Sequence, residues 1–188
     1  MFHRIKTLVT AFSVLSALLL GSIRYSFAQT CTGSLGDPVV NITFGTGTGY
    51  TTLPTSATGA STTYTQQTNS CPNDGNYTVT NSTFSCFSNS WFDVAEDHTP
   101  GDVNGRMAIY NASYTIGEFY RQTISGLCGN TTYEFAGWIA NLLRPTACSG
   151  GGIDPNLTFR IESLSGTLLG SYSTGNIPES SSLTWKQY

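Results

Sequence analysis

Positive charge is scarce in this chain. Of 188 residues only eight are lysine or arginine, and Arg4, Lys6 and Arg24 among them fall near the N-terminus. Arg106, Arg121, Arg144, Arg160 and Lys186 remain to face eleven acidic residues. Nucleic-acid binding depends on clustered Lys and Arg that neutralise phosphates, so nucleic acid is excluded as a partner. Histidine is almost missing: beyond His3 there is His98 alone, and no Cys-x-x-Cys pair accompanies it, which speaks against a zinc site. No Gly-x-Ser-x-Gly elbow presents a serine nucleophile. Helical periodicity is lacking as well, so no long helix is expected.

What is present begins with a charged tip at Arg4 and Lys6, the apolar run from Thr7 to Ile23, and Ser26-Phe27-Ala28. That order reads as a secretory signal peptide over residues 1–28, cleaved after Ala28. The apolar run lies at the short end for spanning a bilayer. Its alternative is an uncleaved anchor; the signal-peptide reading leaves no stable membrane span and places residues 29–188 outside the cytoplasm, secreted or on the cell surface.

Five cysteines, all beyond residue 28, then lie in an oxidising compartment where disulfides are the default. Cys71 and Cys86 flank an expected hairpin, and Cys128 and Cys148 flank an expected strand. The expected pairs are therefore Cys71–Cys86 and Cys128–Cys148, with Cys31 left over.

Beyond the signal the chain is a series of short alternating runs separated by Gly, Asn, Ser and Thr, the pattern of an all-β antiparallel sandwich or barrel. Strands are expected at 39–44, 76–83, 106–112 and 119–124, with the strongest at 132–141, where Tyr133, Phe135 and Ile139 share a face. The stretch from Gly45 to Ser70 is poor in apolar residues and reads as a long loop or loose edge. Leu157-Thr-Phe-Arg-Ile-Glu162 alternates cleanly, with Leu157, Phe159 and Ile161 inward and Thr158, Arg160 and Glu162 outward. The approach to Tyr133, Leu127-Cys-Gly-Asn-Thr-Thr, is similar to the corner of sandwich folds where a tyrosine hydroxyl bonds to nearby backbone. Ser182–Tyr188 reads as the start of a strand with no partner, so one domain, residues 29–188, is expected to lack its C-terminal strands.

The segment Glu96-Asp-His-Thr-Pro-Gly-Asp-Val-Asn-Gly-Arg-Met107 gathers the densest polar chemistry. As a catalytic centre it is poorly equipped: adjacent Glu96 and Asp97 point to opposite sides of an extended strand and cannot flank one bond. As a metal site it offers Asp97, Asp102 and Asn104, with Gly101 and Gly105 permitting sharp turns that aim carbonyls inward, the oxygen-rich set that calcium takes. It lacks the downstream glutamate of an EF-hand. The alternative is a capped turn, in which Asp97 and Asn104 bond to backbone and His98 packs on a neighbour.

Trp91, then Glu96-Asp-His-Thr99, Gly101-Asp102, Gly105-Arg-Met107 and Asn111-Ala-Ser113 resemble the signature of MAM-type jelly rolls. The span from Cys31 to Tyr188, including Cys128-Gly-Asn-Thr-Thr-Tyr-Glu-Phe-Ala-Gly-Trp-Ile139, more closely resembles the galactose-binding-like, carbohydrate-binding-type jelly-roll modules of secreted Bacteroidetes surface proteins that carry C-terminal sorting domains. The resemblance implies a jelly-roll β-sandwich, a non-catalytic binding or adhesion module for a glycan or surface protein, and calcium as a structural ion. The family's closing calcium-holding segment is not seen.

Such modules stack aromatic rings on sugars while a few polar groups bond the hydroxyls. Tyr110, Trp138, Asn141, Arg160 and Glu162 are the candidate ligand-binding residues. Trp138 competes with a core role, Tyr110 is expected outward because it alternates with Met107 and Ile109, and Arg160 and Glu162 stand two apart and can pair with each other. The alternatives in function are a targeting module of a larger polysaccharide-degrading enzyme and a purely structural surface repeat.

Overall fold

The computed structural model describes residue 38, residues 40–54 and residues 59–188. The signal peptide, Cys31 and the beginning of the strand expected at 39–44 lie outside them. The described chain is all-β: short strands in three small sheets, joined by long irregular connections, with one 3-10 turn at Ala147–Gly150. In chain order the strands are β1 (Thr65–Gln66), β2 (Asn76–Thr80), β3 (Met107–Asn111), β4 (Trp138–Ile139), β5 (Asn156–Glu162), β6 (Leu168–Asn176) and β7 (Lys186–Gln187).

The first sheet runs β1-β2-β3, with β1 parallel and β3 antiparallel to the central β2. Register settles which side chains share a face. Tyr77 faces Tyr110 and Val79 faces Ala108, while Thr78 faces Ile109 and Thr80 faces Met107. Because alternate residues point to opposite sides, these are the two faces of one sheet, and both are covered.

On one side Met107 and Ile109 join Cys86, Trp91 and Val94, with Leu142, Leu143, Leu183 and Trp185 packed around them. On the other, Tyr77 and Val79 join Leu53 and Ala60, with Phe44, Tyr64, Tyr110 and Tyr120 at the margin. Tyr110 therefore does alternate away from Met107 and Ile109, but into a second core. Its ring stacks on Tyr77 at 5.5 Å and meets Tyr64 edge-on at 5.4 Å. Burial, reinforced by Tyr77 and Tyr120 nearby, holds its hydroxyl well above the ordinary tyrosine pKa.

The second core is supplied by the expected loop. Residues 45–54 and 59–64 form no strand but are stitched on by single bridges: Thr46 to Gly105, Thr51 to Val79 and Ser61 to Arg121. The last of these is all that forms of the strand expected at 119–124. Leu53 and Ala60 are the apolar residues this polar stretch buries, and Leu53, the larger, is 1% exposed.

Thr78 is fully buried, and its Oγ1 has no hydrogen-bond partner among the described residues. An unmet buried hydroxyl is costly, and valine has the same shape without it. Thr78→Val is expected to stabilise the domain by about 1 kcal/mol, a gain read as a higher midpoint in urea with an unchanged slope. An unchanged or lower midpoint would mean the hydroxyl is satisfied.

β5 and β6 form an antiparallel hairpin, Phe159 opposite Tyr172 and Ile161 opposite Gly170. The clean alternation of the sequence becomes this strand, within a residue of its expected start. Phe159 packs against Phe135 at 5.5 Å and Phe119 at 6.3 Å. Ile161, expected inward, stays 46% exposed, because this face is covered only at the Phe159 end.

The strand expected at 132–141 shrinks to Trp138–Ile139, and its partner is β7, the C-terminal strand expected to have none. Gly137 and Tyr188 extend the ladder by exchanging backbone bonds of 2.9 and 3.0 Å. Upstream, the Tyr133 hydroxyl accepts a hydrogen bond from the Cys128 N–H at 2.7 Å, the corner contact expected from the sequence.

Cys71 and Cys86 are bonded, with Cα atoms 5.3 Å apart. The second expected pair does not form. Cys148 is free and exposed, while Cys128 is in a disulfide. Cys148 sits in the 3-10 turn with φ +50, followed by Ser149 at φ +56, a left-handed stretch that turns it out toward solvent.

Candidate functional site

Two neighbouring features stand on the segment from Glu96 to Met107: a pair of converging carboxylates and an exposed aromatic face. The loop is closed at its base by the Asp97 N–H, which donates to the Gly105 carbonyl at 3.2 Å. Gly45–Gly47 clamps the same base, the Gly47 N–H donating to Asn104 O and the Arg106 N–H to Gly45 O, each at 2.9 Å. Asn104 adopts φ +58, a left-handed conformation that asparagine tolerates better than most residues.

Inside the loop, Asp97 Oδ1 accepts from the Thr99 N–H at 3.0 Å and Oδ2 from the Thr99 hydroxyl at 2.6 Å. These are the turn-capping bonds of the simpler reading of this segment. They leave a second carboxylate to be explained. A Cβ placed on Gly105 would lie 2.1 Å from Asp97 Oδ1 and 2.3 Å from Asp102 Oδ1, so both oxygens converge over a residue with no side chain.

Asp102 Oδ1 is buried and, among the described residues, receives no N–H or hydroxyl donor. Burial, then the charge of Asp97, a hydrogen bond to Asp97 and the charge of Glu96 raise the Asp102 pKa. Two carboxylates so placed share a proton or take a cation between them.

The residues present fit a hard cation in part. Asp97 and Asp102 supply two oxygens at one point, whereas the Asn104 side-chain oxygen accepts from the Asn81 amide at 3.4 Å. No group of three or more His, Cys, Asp or Glu side chains gathers at a common point among the described residues. Calcium bound here would need its remaining ligands from backbone carbonyls and water.

Between the two carboxylates in sequence stands His98, and it carries the second feature. Its exposed ring lies 4.1 Å from that of Trp138 and 5.9 Å from that of Trp185, nearly parallel to the latter at 22°. Trp138 pairs with Gln187, so Trp185, two residues before Gln187, is on the same face and diagonal to Trp138. Trp185 is half-buried against the core around Trp91, whereas Trp138 is 49% exposed. The face is a row of rings, Trp138, His98 and Trp185, with Gln187 beside it.

The other candidate ligand residues are placed elsewhere. Tyr110 belongs to the second core. Asn141 is buried, its amide donating to the Ile177 carbonyl at 2.9 Å and its oxygen accepting from the Leu143 N–H at 2.9 Å, so it fastens two segments together. Arg160 and Glu162 pair at 3.0 Å on β5, in a different sheet, and Glu162 also meets Arg121 at 3.5 Å. Gln187 was missed, although alternation along Trp185-Lys-Gln187 was enough to set it beside an indole.

No protein-family model, curated protein or solved structure matches this chain. Among the described residues no helix is long and apolar enough to cross a membrane.

Proposed function

We propose that this chain is a secreted or cell-surface, non-catalytic binding module whose ligand is a glycan, held on the face made by Trp138, His98 and Trp185. The observation that carries the reading is Trp138: half its surface is open, yet it is fixed by contact with His98 and by strand pairing to β7. A preordered ring open to solvent suits stacking on the apolar face of a pyranose, because little freedom is lost on binding.

The jelly-roll sandwich is the architecture we assign to the domain. The Tyr133 corner and the closure of β4 on β7 support it. Calcium between Asp97 and Asp102 is assigned a structural role, relieving the repulsion of two converging carboxylates and so holding His98 against the indoles.

Glycan-array binding of the parent and of Trp138→Ala tests the function. Loss of one stacked ring is expected to weaken binding about tenfold, roughly 1.4 kcal/mol, while the melting temperature stays close to that of the parent. An array on which both proteins bind the same glycans equally would end the assignment of this face.

A further inference from the structure

We propose that the β4–β7 face accepts neutral pyranose glycans and rejects acidic ones, and that Gln187 is the residue that reads the sugar hydroxyls. This rests on the reading of the face as a glycan platform and specifies its ligand class.

The exclusion of acidic sugars follows from where the cations are. Recognition of a uronate or sulfate group calls for a lysine or arginine free to meet it. Residues 29–188 contain five such side chains, and each is committed away from the platform. Arg106 donates to the Thr48 carbonyl at 3.2 Å. Arg121 and Arg160 pair with Glu118 and Glu162. Arg144 donates to Trp91 O at 3.0 Å and lies over the Phe92 ring.

Lys186 is nearest in sequence, but alternation along β7 turns it to the side opposite Gln187, where its Nζ sits 4.7 Å from the centre of the Tyr188 ring. The charges next to His98 in sequence are instead those of Glu96 and Asp97, with Asp102 meeting Asp97 over Gly105. An anionic sugar on these rings would meet no lysine or arginine.

The role of Gln187 follows from the ladder. Gly137 and Tyr188 exchange both backbone bonds, so the next pair, Trp138 and Gln187, is the type without mutual backbone bonds, in which facing side chains come closest. Gln187 is exposed and carries an amide with two donors and an acceptor. A sugar stacked on Trp138 would present its edge hydroxyls to that amide, which bonds them in either sense without charge.

Affinity electrophoresis of the secreted chain at pH 7 tests this, using gels that contain xyloglucan, galactomannan or mixed-linkage glucan, and gels that contain polygalacturonate or alginate. Retardation is expected in at least one neutral gel and in neither acidic one. Trp138→Ala and Gln187→Ala should each weaken the retardation about tenfold, and Gln187→Lys should gain retardation in polygalacturonate, each variant melting as the parent does. Trp138-dependent retardation of the parent in an acidic gel would overturn the neutral-ligand assignment and leave the platform standing. Undiminished retardation of Gln187→Ala would remove Gln187 from the site. If no gel gives Trp138-dependent retardation, this inference and the platform reading both fall.

Discussion

With Cys71 and Cys86 both changed to alanine, the domain is expected to lose about 3 kcal/mol of stability, the order of magnitude for opening a loop of this length. The bond joins residues 15 apart, on either side of β2, the strand around which both cores are built. Cys86 is itself 1% exposed in the cluster with Trp91, Val94, Met107 and Ile109, so its loss also removes packed sulfur from that cluster. For a domain of this size the change corresponds to a fall of about 6–12 °C in melting temperature. Calorimetry of the double variant beside the oxidised parent, both without reductant, measures it. A fall of less than about 2 °C would show that the strands hold β2 without the cross-link.

Gly105→Ala, at the buried base of the loop, is expected to cost about 1–3 kcal/mol, the usual range for an added methyl with nowhere to go. The new Cβ would occupy the point where Asp97 Oδ1 and Asp102 Oδ1 converge, and both carboxylates would have to swing away. Gly101→Ala, four residues earlier, is the control. Gly101 has φ +81 but nothing within 4 Å of its added carbon, so that variant carries backbone strain alone. Thermal melts with calcium and with chelator separate the two variants. Calcium should raise the melting temperature of the parent and of Gly101→Ala but not of Gly105→Ala, since a ligand stabilises only a folded state that can hold it. A parent indifferent to chelation would leave the carboxylates sharing a proton and the loop a capped turn.

β2, β3 and β5 were legible because each alternates cleanly and each finds an antiparallel partner. The segment from Thr132 to Asn141 alternates as well, but Tyr133 and Phe135 remain 37% and 54% exposed, and only Trp138 and Ile139 obtain a partner strand. Propensity records the fit to a half-buried pleated surface, and it says nothing of whether a neighbour will arrive.

Tyr110 failed for a related reason. Alternation gave its side correctly, but reading that side as solvent assumed a sheet with one buried face, and the polar stretch around Leu53 covers the other. Cys128 and Cys148 bracket a segment much as Cys71 and Cys86 do, and only Cα separation and Cβ direction distinguish the pair that closes. The loop chemistry was half visible. Aspartates, asparagine and glycines marked the turn from Asp97 to Gly105, but that two oxygens meet over Gly105 while Asn104 bonds to Asn81 depends on contacts across the fold.

The three single bridges that fasten residues 45–54 and 59–64 have a kinetic consequence. Thr46, Thr51 and Ser61 each reach a partner roughly thirty to sixty residues later in the chain, so the second core cannot assemble until those distant segments have found one another. Chains dominated by such non-local pairings fold in milliseconds to seconds, and the lone bridges add little enthalpy to offset each closure. Leu53 should therefore be buried late. Substitutions there would accelerate unfolding and leave the rate of refolding nearly unchanged, whereas substitutions at Val79 in β2 would slow refolding itself.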